Sequence, residues 1–180
     1  DQEKEAAEIV RSKVTKEDII IGISANGSAK FVLSGLREAK KIKATTCLIT
    51  SNHISCPNYI KYLIPLIVGP EIISGSTRMK AGSATKMVLN MITTTSMIKL
   101  NKTYGNLMVD LKAMNEKLWD RGNRIISQIT GLSYEKAKRY LELARGEVKP
   151  AVVMIRKECI YEEAIKLLNK VNGDLSSVID

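Results

Sequence analysis

The sequence is poor in aromatic side chains and in the raw material of metal sites. Of 180 residues, one is Trp, one Phe and one His, with four Pro and three Cys. A single histidine, His53 in the polar run "SNHIS", excludes multi-histidine and Cys-His metal sites. Cys47, Cys56 and Cys159 form no C-x-x-C and no metal-ligand spacing. An odd cysteine count without a signal-peptide pattern leads us to expect a reducing, cytoplasmic setting. No apolar run reaches the roughly 18 residues of a membrane span, so no membrane partner is expected. What remains is ordinary for a soluble globular protein: 44% hydrophobic and 26% charged residues, in a chain long enough to bury a core.

The formal net charge is +9, which raises nucleic acid as a partner. Against it, Lys and Arg are interspersed with acids along helical stretches, aromatics are scarce and no nucleic-acid motif occurs. An anionic small ligand and a basic solvated face fit the charge better.

The hydrophobic pattern alternates between two periods. A polar helix is expected over 1–14, then β-branched runs "DIIIGIS" (18–24) and "ATTCLITS" (44–51) flank a helix near 29–42. A third strand is expected within 58–70, closed by Gly69 and Pro70. This alternation predicts an α/β fold with a parallel sheet and right-handed crossovers. A helix is expected over about 78–100, with Met79, Met87, Met91, Thr95 and Ile98 along one side, and Met79, Met87, Met91 and Met97 are expected in core packing. A second long helix is expected over 106–129, with Leu107, Leu111, Met114, Leu118, Ile125 and Ile129 as a near-heptad seam. After Gly131, capped at Ser133, short helices are expected near 134–144, 148–157 and 161–170, with a last turn over 174–179. The expected boundary is near Thr130, giving domains 1–130 and 131–180. Three parallel strands leave sheet edges unpaired, and the chain opens in a helix without Met. We therefore expect the C-terminal portion of something longer, or a sheet completed by a companion chain.

Ligands of parallel α/β sheets sit beyond the carboxyl ends of the strands, and two loops lie there. "SANGSA" offers Ser24, Asn26, Gly27 and Ser28. It matches neither G-x-G-x-x-G nor a Walker A loop, and a plain strand-to-helix turn explains it equally well. "GPEIISGSTRMKAG" (69–82) sets Glu71, Gly75, Ser76 and Thr77 ahead of a helix, with Arg78 and Lys80 in its expected first turn. Bases there oppose the positive end of the helix dipole. A phosphate or carboxylate held by free N–H groups would explain them, and so would a capped helix with two solvated bases.

The stretch "GPEIISGSTRMKAGSATKMVLNMITT" and its continuation "KTYGNLMVDLKAMNEKLWDR" (102–121) are similar to the signature of the N-acetylmuramic acid 6-phosphate etherases and the related glucokinase regulatory proteins. From residue 133 the tail resembles the small ubiquitin-associated-like helical domain that closes etherase chains. The resemblance covers essentially the whole chain. It implies a sugar isomerase (SIS) domain, incomplete here, followed by that three-helix domain, in a cytoplasmic homodimer binding an amino-sugar 6-phosphate. It implies a carbon–oxygen lyase with no metal or organic cofactor, cleaving the D-lactyl ether of N-acetylmuramic acid 6-phosphate to N-acetylglucosamine 6-phosphate and D-lactate in peptidoglycan recycling.

The expected substrate contacts are Ser24, Asn26, Gly27, Ser28, Glu71, Ser76, Thr77, Arg78 and Lys80. The resemblance places the first phosphate loop and two catalytic glutamates upstream of the matched segment. Glu3 and Glu5 lie close to that acidic stretch but do not register on it, so no catalytic residue is assigned and this chain is expected to be inactive alone. Etherases carry a Ser-Gly-Arg-Thr-Pro run where this chain has Asn26 to Lys30, and the frame Gly22, Ile23, Ser24, Ser28, Ala29, Phe31, Val32 is nearer the regulatory proteins. A non-catalytic phosphosugar-binding regulator is the alternative.

Overall fold

The structure, a computed structural model, describes residues 2–180. Packing divides it into two units, 1–90 and 91–180, which are taken in turn.

In the first unit, helix α1 (Gln2–Lys13) precedes strand β1 (Ile19–Ile23), helix α2 (Lys30–Lys41), strand β2 (Thr45–Thr50) and strand β3 (Tyr62–Pro65). The strands form a parallel sheet in the order β1-β2-β3, with Ile21 opposite Cys47 and Cys47 opposite Tyr62. This matches the expected α/β layout. Leu36 of α2 packs on Leu48 and Ile60. Gly22 permits this approach, because a Cβ there would stand 2.6 Å from the Leu36 and Val32 side chains.

Helices α1 and α2 lie against each other with Ala6, Val10 and Ala39 buried. A polar clamp adds to this. Arg11 Nε donates to Glu38 Oε1 and Lys41 Nζ to Glu38 Oε2, both at 3.0 Å. The Arg11 and then the Lys41 hydrogen bonds hold the Glu38 carboxyl below the usual carboxylate range. Among the described residues β1 and β3 each pair on one side only, and Ile19 and Tyr62 remain 63% and 52% exposed.

Helix α3 (Lys80–Lys99) contains the division between the units. The expectation that its methionines pack in a core is not met: Ala81 is its one buried residue, while Met87 and Met91 are 58% and 62% exposed. No helix among the described residues is long and apolar enough to cross a membrane.

The second unit corrects the expected helix over 106–129. Its first part is a hairpin, strand β4 (Thr103–Tyr104) antiparallel to strand β5 (Leu107–Met108), turned at Gly105 with φ 53°. Residues 109–113 then run extended. Val109, Leu111 and Ala113 point inward and are buried, while Asp110 and Lys112 do not. The run is tied by Ala113 N–H to Gly146 O at 2.8 Å and Val148 N–H to Leu111 O at 3.2 Å. Only at Glu116 does helix α4 (Glu116–Thr130) begin, because Asn115 caps it by accepting the Leu118 N–H, and Gly131 in the left-handed region ends it.

Helices α5 (Tyr134–Leu143), α6 (Val148–Lys157), α7 (Tyr161–Lys170) and α8 (Leu175–Ile179) follow close to the expected limits. Ile125, Ile126 and Ile129 of α4 share one core with Leu141, Val152 and Leu168. The core therefore draws on both sides of Thr130. Lys149, 7% exposed, is neutralised by Asp110 Oδ1 at 3.2 Å.

Candidate functional site

Beyond the carboxyl ends of β1 and β2 the first unit carries two adjoining small cavities of about 190 and 210 Å³. Ala25, Ser51, Thr77 and Ala81 line both. This is where a parallel sheet places a ligand, and the local sequence explains its shape.

The loop after β1 is braced by its own short polar side chains. Asn26 Oδ1 accepts the Ser24 hydroxyl at 3.2 Å and the Ser28 N–H at 3.1 Å, an Asx-type turn. The Ser24 oxygen also accepts the Ala29 N–H, and Ser24 is buried. Gly27 takes a φ of 75° directly under Ile54, whose Cδ1 would stand 3.0 Å from a Cβ; Gly is suited to both constraints. Ser51 N–H and the Thr50 hydroxyl both donate to Ala25 O, which ties the loop to the end of β2.

The second loop is fastened to the start of α3 by its acid. Glu71 Oε2 accepts the Lys80 N–H at 3.0 Å and Oε1 the Ala81 N–H at 3.1 Å. Those two backbone bonds hold the Glu71 carboxyl below its ordinary value. Lys80 Nζ donates to Pro70 O at 2.8 Å, and the Gly82 N–H goes to Thr77 O. The expectation of free N–H groups at this helix start is therefore corrected at Lys80 and Ala81, where Glu71 already supplies the anion. Arg78 lies two residues before the helix, is exposed, and makes no ion pair among the described residues.

Of the expected residues, Asn26, Glu71 and Thr77 meet at the cavity wall. Ser24 and Gly27 support the first loop from behind. Ser28, Ser76, Arg78 and Lys80 stand outside both walls. Sequence reasoning missed Ser51, Asn52 and Thr85, which do line them. The first two follow β2 immediately, so the rule that singled out "SANGSA" applied equally to "SNH".

No family model matches the chain. Curated relatives do. It is 45% identical to an N-acetylmuramic acid 6-phosphate etherase of Geobacillus thermodenitrificans, over 100% of this chain and 61% of the relative. It is 51% identical to the protein of that name from Geobacillus sp. (strain WCH70), over 89% of this chain and 55% of the relative. The protein of that name from Clostridium acetobutylicum is 45% identical over 99% of this chain and 60% of its own length. The chain spans about three-fifths of the length of these relatives. The matched spans take in 89–100% of this chain, and on that evidence the chain is similar along its length to proteins named N-acetylmuramic acid 6-phosphate etherase.

Proposed function

We propose that this chain supplies the phosphosugar-binding portion of an etherase that cleaves the D-lactyl ether of N-acetylmuramic acid 6-phosphate, within a cytoplasmic homodimer. The observation that carries the reading is the identity of 45% over the whole chain, joined to a cleft at the carboxyl ends of parallel strands whose lining includes Asn26, Ser51, Asn52 and Thr77. In this reading the first unit is part of a sugar isomerase domain, and α5 to α7 are the ubiquitin-associated-like closing helices. Asn26, Ser51, Asn52 and Thr77 supply hydrogen bonds to the sugar, and Arg78 supplies longer-range attraction for the phosphate.

The reaction needs a base to remove the proton beside the open-chain aldehyde and an acid to protonate the departing ether oxygen; water then adds to the unsaturated product. A general acid must hold its proton near the working pH. Glu71 is poorly matched to that role, because its two backbone bonds favour the ionised form. The acid and base come instead from a companion N-terminal portion, which also pairs with the open edge of β1, where Ile9, Ile23 and Phe31 lie 43–45% exposed.

The test is a pair of measurements on the 180-residue chain. Calorimetric titration with N-acetylglucosamine 6-phosphate is expected to show binding. Turnover of N-acetylmuramic acid 6-phosphate is expected to stay at background, and to appear when the N-terminal portion of a relative is added. Absence of phosphosugar binding in both preparations sinks the site; turnover by the chain alone sinks the division of labour.

A further inference from the structure

A second polar groove lies in the other unit, between α4 and α5, with a volume of about 460 Å³, within the range of small-ligand sites. Helical spacing builds it. Glu116, Trp119, Asp120 and Asn123 recur along one face of α4, and Tyr134 and Glu142 along the facing side of α5. Three of these are carboxylates, against the one lining base Lys138, in a chain whose net charge is +9. The groove is also held in shape: Tyr134 Oη donates to Asp120 Oδ1 at 3.0 Å, and Arg124 Nε to Asp120 Oδ2 at 2.8 Å.

Its floor carries an unmet demand. Asn123 is 2% exposed, lines the groove, and its Oδ1 has no hydrogen-bond partner among the described residues. A buried carbonyl without a donor is unfavourable, and a ligand that brings a donor removes that cost. With Asp120 already taken up by Tyr134 and Arg124, the Glu116 and Glu142 carboxylates and the Asn123 carbonyl are the acceptors of a lining that also holds Trp119 and the base Lys138, and aromatic rings attract cations. A phosphorylated ligand is repelled by this set of charges, so the groove is chemically unlike the cleft of the first unit.

We propose that the groove between α4 and α5 binds a compact primary amine in its ammonium form. The ammonium presents three donors to Glu116, Glu142 and Asn123, and the body of the ligand lies against Trp119. Such an amine could reach the groove as a free amino sugar or on a lysine side chain.

Trp119 is the chain's only tryptophan, so its fluorescence reads the groove directly. The 180-residue chain is titrated with glucosamine, with N-acetylglucosamine, which keeps the ring and loses the charge, and with Nα-acetyl-lysine amide. A saturable change with a Kd of about 1 mM or tighter is expected for at least one of the two amines. A glucosamine response identifies an amino sugar as the source, and a response to the lysine derivative alone identifies a peptide side chain. Glu116→Gln and Glu142→Gln, both at exposed positions, are each expected to weaken it about 2- to 5-fold. Asn123→Leu is expected to weaken it by about tenfold. No saturable response to either amine overturns the proposal. So does an equal response to N-acetylglucosamine, or binding unchanged in both Gln variants.

Discussion

The Glu71 carboxylate receives the Lys80 backbone N–H at 3.0 Å, so the helix that opens on a lysine is capped by an acid nine residues upstream. The neighbouring Ala81 N–H completes the cap. Both bonds favour the ionised carboxylate, and the folded pKa lies below the ordinary 4.5. A carboxyl with a depressed folded pKa contributes stability that is present above its unfolded pKa and is lost as pH falls through the folded value. Wild-type melting temperature is therefore expected to fall more steeply than that of Glu71→Gln below about pH 4.5. Parallel melting curves for the two proteins across that range would show that the cap contributes nothing.

Arg78 has no acidic partner of this kind. In the absence of ligand, Arg78→Ala is expected to leave the melting temperature unchanged, because the exposed guanidinium makes no ion pair among the described residues. With N-acetylglucosamine 6-phosphate present, the variant is expected to lose most of the ligand-induced rise. If Arg78 contacts the phosphate directly, the lost charge-assisted bond is worth about 1.5–3 kcal/mol, or roughly 10- to 150-fold in Kd. Equal melting shifts in both conditions would instead mark Arg78 as structural.

How far the sequence could be read depended on whether its signals were local. Strands β1 and β2 and helices α2, α5, α6 and α7 were legible because β-branched runs, amphipathic spacing and caps such as Ser133 act within a few residues. The Glu71 cap was not, since its acid lies outside the first turn, where helix-start rules look for one. The stretch 106–115 was misread for a different reason. Leu107, Leu111 and Met114 imitate helical spacing, yet "VDLKA" alternates strictly, and the period of two is the one the structure follows. At the site, Asn26 and Thr77 followed from strand-end reasoning. Ser51 and Asn52 are open to the same reasoning, since they directly follow β2.

Helix α3 bears on assembly. Met87, Met91, Met97 and Ile98 along it, with Met79 and Leu100 just beyond its ends, are each 51–62% exposed, and exposed apolar side chains in such number mark association sites. For the proposed homodimer, Met87→Asp and Met91→Asp are expected to shift light-scattering mass from dimer to monomer while leaving circular dichroism intact. A monomeric wild-type chain would overturn the homodimer, and a variant that stays dimeric would place the interface elsewhere.

The extended run 109–113 tests whether the second unit is one folding unit. Leu111 is 6% exposed and packs in the core shared by α4 and the later helices, and its carbonyl accepts the Val148 N–H. Leu111→Ala is expected to cost about 2–5 kcal/mol, the range for a large-to-small change in a core, and Leu111→Asp to prevent folding of this unit, because it buries an unpaired charge. Ending the chain at Thr130 should be comparably severe: it removes Leu141, Val152 and Leu168, and so uncovers Ile125, Ile126 and Ile129. The check is a chemical denaturation series with solubility measured alongside. A soluble, cooperatively folding 1–130 fragment would show that α4 holds its apolar face without the tail, and would support a domain boundary near Thr130.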